Sequence, residues 1–410
     1  MTNETSITAT ASARVDDNNS RQHGSSIRPL KNKLLTYEMN ILIAPNSMKG
    51  SLSAFHFADL IGQAFLDTDP GFFNIRKVPV ADGGDDTGQV LTKALELKNY
   101  EVDVLDPLER PVKARLGYTN SVAVIEMADA SGMKLLQPDE LNPLKTSSYG
   151  TGQLILEAIR LGATTIYVGV GGSATVDGGT GMLEALGLQF FDSSGNQLHG
   201  NGENLSRIAT VKGHLNLPDG IGIKVICDVE NPLLGEEGAA TVFAPQKGAT
   251  PQMVNLLEKG LRSFADFTET LTGKPVTGIK GGGAAGGIAA GMAGWLNAEI
   301  VFGGNFILDL IAFDQHVGWA DLVITGEGRI DSQTFWNKAP YAVACRARKQ
   351  GKKVIGIAGS IEYSDQSLFD GVFSIINQPC ELKMAVKNAE SLMYHAAREL
   401  AGLIVAVRKI

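Results

Sequence analysis

The sequence is poor in the residues that cross-link a fold or hold a metal through soft ligands. Its 410 residues include three cysteines, Cys227, Cys345 and Cys380, with no CxxC spacing, which excludes a disulfide-stapled framework. The six histidines, His23, His56, His199, His214, His316 and His395, are scattered along the chain, so no zinc pattern is present and no motif is centred on histidine. Basic residues do not dominate: Lys plus Arg number 36 against 44 Asp plus Glu, a net charge of −8. Without a basic run interleaved with aromatics, no nucleic-acid partner is expected. Long apolar runs are also missing. The longest uncharged one, residues 284–296, is interrupted by glycine and falls short of the roughly 18 residues of a membrane span; no membrane partner is expected, and the protein is read as cytoplasmic. What the chain has in surplus is glycine, 48 residues against 15 prolines and with no G-X-Y period. That excludes collagen-like and low-complexity chains and places the surplus in tight turns or ligand loops.

A chain of 410 residues is expected to form two domains, because single cores stop growing near about 250–300 residues. Residues 1–38 are rich in Thr, Ser, Asn and Arg with hardly any apolar periodicity, a composition unable to offset its ordering entropy, and are expected to be a disordered extension. They contain no apolar signal-peptide core, and Glu4, Asp16, Asp17 and Glu38 do not suit an acid-poor transit peptide. From Met39 onward strands and helices alternate. Ile41-Leu42-Ile43 reads as a strand, and Ser53 as the cap of a helix whose Phe57, Leu60, Ile61, Ala64 and Phe65 share one face. A strand at 78–80 and a helix to about residue 97 follow. The far end repeats the plan, with strands at 322–325, 354–358 and 372–376, a helix near 338–349 and a final amphipathic helix over about 383–407. Between the ends, runs at 102–105, 112–118 and 122–127 look like an antiparallel or mixed sheet. A helix near 151–161 and strands at 166–170 and 225–227 come next.

Five polar loops follow apolar strands, where open α/β sheets place their ligands. In Asn46-Ser47-Met48-Lys49-Gly50-Ser51 a helix N-terminus and a lysine favour an anion, although Ser51 or Ser53 could simply cap the helix. Ala81-Asp82-Gly83-Gly84-Asp85-Asp86 carries three carboxylates that could hold Mg²⁺ or complement a helix terminus. Gly171-Gly172-Ser173-Ala174-Thr175-Val176-Asp177-Gly178-Gly179 suits a mononucleotide phosphate cradle better than a dinucleotide loop. Asp228, at a strand end, is a candidate base or metal ligand and is followed by Gln246-Lys247-Gly248. The fifth loop, Thr325-Gly326-Glu327-Gly328-Arg329-Ile330-Asp331-Ser332-Gln333, sets two carboxylates around an arginine, an arrangement equally typical of an ion-pair network. A further run from Gly281 through Gly283 to Gly287 opens an alanine-rich helix, where close packing and phosphate binding both explain the glycines. Glycine loops, cations and many carboxylates without histidine form the profile of phosphoryl transfer, which needs positioning and charge stabilisation more than an activated nucleophile. No Walker A, HRD or DFG sequence occurs.

These loops, in this order, resemble the bacterial-type glycerate kinase family. Ala44-Pro45-Asn46-Ser47-Met48-Lys49-Gly50-Ser51-Leu52-Ser53-Ala54 is similar to the family's APDSFKGSLSA, and Pro79 to Gly84 to its PVADGG. Gly171 to Gly179 resembles GGSATNDGG, Cys227 to Leu233 resembles CDVxNPL, and Pro245 to Ala249 the PQKGA of GPQKGA. Leu322 to Asp331 reads LVITGEGRID without a gap. The resemblance extends from about Met39 to the C-terminus. It departs at Asn46, where the family pattern has Asp, and at Asp85-Asp86 in place of Glu-Gly.

The resemblance implies ATP- and Mg²⁺-dependent phosphorylation of D-glycerate on its 2-hydroxyl, in a two-domain α/β protein. A discontinuous Rossmann-like parallel-sheet domain (39–82 and 281–410) would hold an inserted mixed α/β domain (83–280). The roles assigned on that basis are as follows. Asp228 is the base, with Lys49 and Arg329 as catalytic cations; Asn46, Ser47, Arg329, Gln246 and Lys247 contact substrate. Gly171, Gly172, Ser173, Asp177, Gly178, Gly179 and Gly283 face the nucleotide, and Asp82 with Glu327 or Asp331 holds Mg²⁺. A homodimer is compatible with the sequence. The competing readings are a kinase of another small hydroxy acid, a glycerate-binding sensor that has lost turnover through Asn46, and, from the GxGxx loops, an NAD-linked dehydrogenase.

Overall fold

A computed structural model describes residues 38–84, 86–331, 338–362 and 368–408. The expected disordered extension, apart from Glu38, lies outside the described residues, as do Asp85 and the Ser332-Gln333 end of the fifth loop. In chain order the strands are β1 (Met39–Ile43), β2 (Phe73–Lys77), β3 (Lys98–Leu105), β4 (Pro111–Thr119), β5 (Val122–Glu126), β6 (Thr165–Gly169) and β7 (Leu188–Phe191). They continue with β8 (Gln197–Leu198), β9 (Thr210–Gly213), β10 (Gly222–Cys227), β11 (Glu299–Phe302), β12 (Leu322–Ile330), β13 (Lys353–Ile361) and β14 (Gly371–Ser374).

These strands form a five-stranded sheet in the order β14-β13-β12-β1-β2, a six-stranded sheet β11-β10-β6-β5-β4-β3 and a small sheet β8-β7-β9. All pairings in the first sheet are parallel. The second is parallel from β11 to β5 and antiparallel at β4 and β3. The mixed α/β architecture is therefore the expected one, with a parallel sheet drawn from both ends of the chain and a mixed sheet from its middle. β11 lies beyond the expected boundary at 280/281 and still pairs with β10. Among the described residues no helix is long and apolar enough to cross a membrane.

β1 shows why the first sheet is buried on both faces. Ile41 and Ile43 pack with Phe57, Ile61 and Phe65 of the helix Ala54–Thr68, while Leu42, one residue out of phase, packs with Val323, Val343 and Val354 on the other side. Side chains alternate along a strand, so three consecutive aliphatics serve two cores. The helix starts where expected, with Ser53 Oγ accepting from His56 N at 3.1 Å.

Three expectations shift. The second strand lies at Phe73–Lys77, not at 78–80, because Pro79 has no N–H to give the ladder; Val78 N and Val80 N still donate to Ile43 O and Pro45 O. The fifth loop is largely strand, since β12 runs to Ile330 and pairs with β13 along its whole length. The C-terminal helix is two helices, Leu382–Lys387 and Ala389–Arg408, broken at Asn388. The 22-residue helix Pro251–Thr272 was not among the expected elements, although Thr250, Pro251 and Gly273 form its cap, first turn and left-handed terminus.

The two larger sheets meet through backbone. Gly171 N donates to Gly83 O at 3.1 Å, and a Cβ on Gly171 would stand 2.6 Å from Gly84 Cα. Gly83, at φ +103°, lies so close to Cys227 that a Cβ would come within 2.6 Å of its carbonyl carbon. A Cβ on Gly303 would lie 2.0 Å from Asp82 O. These contacts absorb part of the glycine surplus and bring the C-terminal ends of β1, β6, β10 and β12 to one crevice. Gly171→Ala should therefore lower unfolding stability by about 1–3 kcal/mol, the usual cost of overpacking. Gly402→Ala, on an open helix position with nothing within 4 Å, should raise it by about 0.5–1 kcal/mol. Urea denaturation of both variants tests this; equal effects would contradict the close-contact argument.

Candidate active site

The crevice is a cleft of about 940 Å³ lined by residues that follow strands of both larger sheets. At its centre Asp82 and Asp228 flank Gly84: a Cβ there would stand 3.2 Å from Asp82 Oδ1 and 3.7 Å from Asp228 Oδ2. Asn46 Nδ2 donates to Asp82 Oδ2 at 3.1 Å, while Asn46 Oδ1 accepts from Ser47 N at 2.8 Å. Both Asn46 and Asp82 are buried. Asp228 opens onto cleft water but is surrounded by protein. Loss of solvation, then the charge of Asp82, pushes its carboxyl up to about 6, against the opposing pull of Lys338 and Lys49.

β12 contributes Glu327 and Arg329, two residues apart and so on one side of the strand. Glu327 is buried and lies 3.6 Å from Lys338 Nζ. Arg329 Nε contacts Asp331 Oδ2 at 2.9 Å and its other nitrogen contacts Glu362 Oε2 at 2.9 Å. Asp331 is thus held by Arg329, next to the cleft lining that Glu327 and Arg329 join. Lys338 was not singled out in the sequence, since its only signal is the start of a helix after the fifth loop.

The three-carboxylate loop divides its work. Asp82 faces the cleft, whereas Asp86 Oδ2 accepts from Ala54 N at 2.9 Å at the start of helix Ala54–Thr68. The anion expected at that helix terminus is supplied by the protein itself. Met48 and Leu52 close the 46–51 loop with reciprocal backbone hydrogen bonds, which leaves Ser47 and Lys49 on the cleft lining.

The glycine loop divides too. Gly171, Gly172 and Ser173 line the cleft. Asp177 is fully buried and accepts from Ser148 N, Ser148 Oγ, Gly179 N and Gly181 N; burial pushes its carboxyl up against those hydrogen bonds. A Cβ on Gly178 would strike Phe264, one on Gly179 would crowd Ile288, and one on Gly283 would lie 2.2 Å from Pro232 O. These three glycines are accounted for by packing behind the cleft. Gln246 is exposed at the rim, but Lys247 is only 2% exposed and donates to Ser173 Oγ at 2.8 Å and Thr175 O at 2.7 Å. Burial lowers its ammonium to about 7, with Asp177 opposing. Lys247 braces the glycine loop from inside.

Among the described residues no three acidic, histidine or cysteine side chains converge as a preformed metal cage. Two facing carboxylates, one raised by burial and then by its neighbour's charge, nevertheless fit Mg²⁺, which takes one or two protein carboxylates and completes its shell with water and substrate phosphate. A side pocket of about 440 Å³ continues from the cleft past Ser47, Lys49 and Gly172 to Arg115, Glu126 and Lys134. Arg115 holds Asp129 through two hydrogen bonds, 2.7 and 3.1 Å, and Lys134 pairs with the same carboxylate. Burial, then the charge of Asp129, raises Glu126 to about 7, while Lys134 and Arg115 oppose the rise. This cluster joins β4, β5 and the residues after them, and no single motif announces it.

Comparison with known proteins gives a consistent result. A family model described as the glycerate kinase family matches residues 41–405. A glycerate kinase of Bacillus subtilis is 42% identical over 374 residues, 89% of this chain and 98% of that protein. A glycerate 2-kinase of Escherichia coli is 39% identical over 375 residues, 89% of this chain and 98% of that protein. A crystal structure of a glycerate kinase 2 candidate from Salmonella typhimurium superposes with a TM-score of 0.77 at 41% identity, covering 91% of this chain and 100% of that one.

Glu126 has a stability signature. Its folded value of about 7 lies above the ordinary 4.5, so between those values the native state binds more protons than the unfolded chain and its contribution weakens as pH rises. Glu126→Gln should remove that loss. Thermal melts of both proteins should show the variant's relative stability growing from about pH 5 to about pH 8; a constant difference would refute the raised value.

Proposed function

This chain belongs to the glycerate kinase family, and on that premise we propose that it transfers the γ-phosphoryl group of ATP to the 2-hydroxyl of D-glycerate, giving 2-phosphoglycerate and ADP. The observation that carries the reading is the facing pair Asp82 and Asp228 in a cleft between strand ends, with Lys49 and Lys338 near enough to bias Asp228. A carboxylate with a value near 6 is ionised at neutral pH and more basic than an ordinary aspartate, which suits acceptance of the hydroxyl proton. Asp228 is that base. Asp82 and Glu327 are the residues that would hold Mg²⁺, with Asp331 as a further donor once Arg329 turns to substrate. When bound, Mg²⁺ supplies charge neutralisation to the phosphate oxygens.

The remaining roles follow from position. Gly171, Gly172 and Ser173 present backbone to the phosphates, and Lys247 with Asp177, Gly178, Gly179 and Gly283 maintains that loop from behind. Lys49 balances phosphate charge. Arg329 exchanges an internal carboxylate for that of glycerate, a planar bidentate partner, and Ser47 and Gln246 reach the hydroxyl groups. Asn46 favours the kinase over the sensor reading. Its amide donates to Asp82 where a third carboxylate would add a like charge, so the pair is preserved. The two larger sheets, each with its own helices and with β11 belonging to the second, would close over the site and exclude water from the transferring group. On this reading the reaction would belong to cytoplasmic glyoxylate metabolism.

An assay with ATP, Mg²⁺ and D-glycerate, coupled to enolase without mutase, should give a continuous signal because enolase consumes 2-phosphoglycerate directly. ADP without that signal would mean transfer to the 3-hydroxyl, and a panel of other hydroxy acids run in parallel would reveal a different acceptor. Asp228→Asn should lower kcat by roughly 10²–10⁴, the range for loss of a general base, while thermal unfolding at neutral pH stays the same or rises, because a buried charge beside Asp82 is removed. A kcat within tenfold of the parent would remove Asp228 from that role.

A further inference from the structure

We propose that the adenine ring of the nucleotide seats in an apolar slot between the C-terminal ends of β12 and β13 and the helix Leu382–Lys387. The proposal rests on the kinase reading and adds to it a base-binding subsite. The slot has a volume of about 300 Å³ and is lined by Met48, Ile375, Ile376, Leu382, Ala385 and Val386 among others, within the size and character of small-molecule pockets. It is continuous with the catalytic cleft: Lys49, Gly328, Ser360 and Leu382 border both.

Chemistry separates the two spaces. The cleft brings together carboxylates, lysines and glycine backbone, which suits phosphates and a hydroxy acid, and its apolar residues, Val229, Val242 and Phe243 among them, are interspersed with these polar groups along the lining. Glycerate, charged and hydroxylated throughout, has no use for an apolar slot. A nucleotide is the one participant with both a polyanionic and a flat, weakly polar end.

Topology points to the same place. In the order β14-β13-β12-β1-β2, the chain leaves β1 toward one edge and β12 toward the other, so the crevice beyond β1 and β12 is the switch point where parallel sheets bind ligands. The local surface also fits a planar ring. Gly328 and Gly359 lie on the paired strands β12 and β13, and a Cβ on Gly359 would stand 2.7 Å from Gly328 O and 3.2 Å from Met48 Cε. The two glycines let Met48 pack against the strand backbone, so that its thioether, a group that makes favourable contacts with aromatic rings, lines the slot. Opposite it, Leu382 is 80% exposed although it borders both spaces. Exposed apolar surface clustered at a concavity marks a binding site more often than chance does. From this slot the phosphates would pass Lys49 on the way to Gly171 and Gly172.

Cys380 lines the slot and is exposed, while Cys227 is buried and Cys345 only partly accessible. Alkylation of the full chain with iodoacetamide, followed at Cys380 by mass spectrometry, should be slowed saturably by ATP, AMP and adenosine. Tripolyphosphate and glycerate, lacking a base, should leave the rate unchanged. Ala385→Phe, which fills the slot, should raise KM for ATP about tenfold and leave KM for glycerate unaltered. Normal turnover with no nucleotide protection of Cys380 would overturn the slot and leave the kinase reading standing. Protection by adenosine in a protein that forms no ADP from glycerate would support the slot while removing the kinase reading. Protection that follows protein concentration without nucleotide would assign the slot to a second copy of the chain and overturn the proposal.

Discussion

Main chain lying against main chain is the contact on which this molecule depends. A β-sheet normally meets its neighbour through side chains about 10 Å apart, a distance too great to bring carboxylates from two sheets to one reacting group. Here Gly83, Gly84, Gly171 and Gly303 remove that spacing locally. Asp82, which follows β2, and Asp228, which follows β10, consequently stand on either side of a single residue. Burial of Asp228 in this approach, and then the charge of Asp82, raises its carboxyl.

The electrostatics of the cleft are held in a balance that a ligand can tip. Two acids are forced together, a neutral amide at position 46 spares them a third, and the two lysines bound the rise in proton affinity. Such an arrangement is unfavourable by itself and becomes favourable when a cation or a proton on a substrate hydroxyl enters it. The close glycine packing, together with the Asn46 hydrogen bond to Asp82, holds the two acids in place.

Much of this was legible in the chain. β1 and its helix were visible because Ile41-Leu42-Ile43 and the Phe57 to Phe65 face carry opposite periodicities, and the cleft loops were visible as polar turns after apolar runs. The depth of each loop was not. Gly171 and Gly178 belong to one motif, yet the first lines the cleft and the second supports Phe264, and a glycine reads the same in either place. Asp82 and Asp86 are likewise indistinguishable by type, although one faces the cleft and the other a helix terminus. Lys247 was expected to contact substrate and is instead interior, donating hydrogen bonds to Ser173 and Thr175. The cluster of Arg115, Glu126, Asp129 and Lys134 arises from pairing between strands and could be found only in three dimensions.

The first sheet also imposes an order of assembly. Asn40 and Asp321, 281 residues apart, are joined by a hydrogen bond, and β1 gains its β12 partner only across that interval. During synthesis β1 and β2 emerge early and wait, with Ile41 and Phe57 lacking much of the core they will share, while β3 to β11 supply every strand of the second sheet. Loop-closure entropy makes such late pairing slow and leaves apolar surface exposed meanwhile. Because Asn46 and Asp82 precede the second sheet in the chain and Glu327 and Arg329 follow it, the cleft lining is complete only once β12 has joined β1.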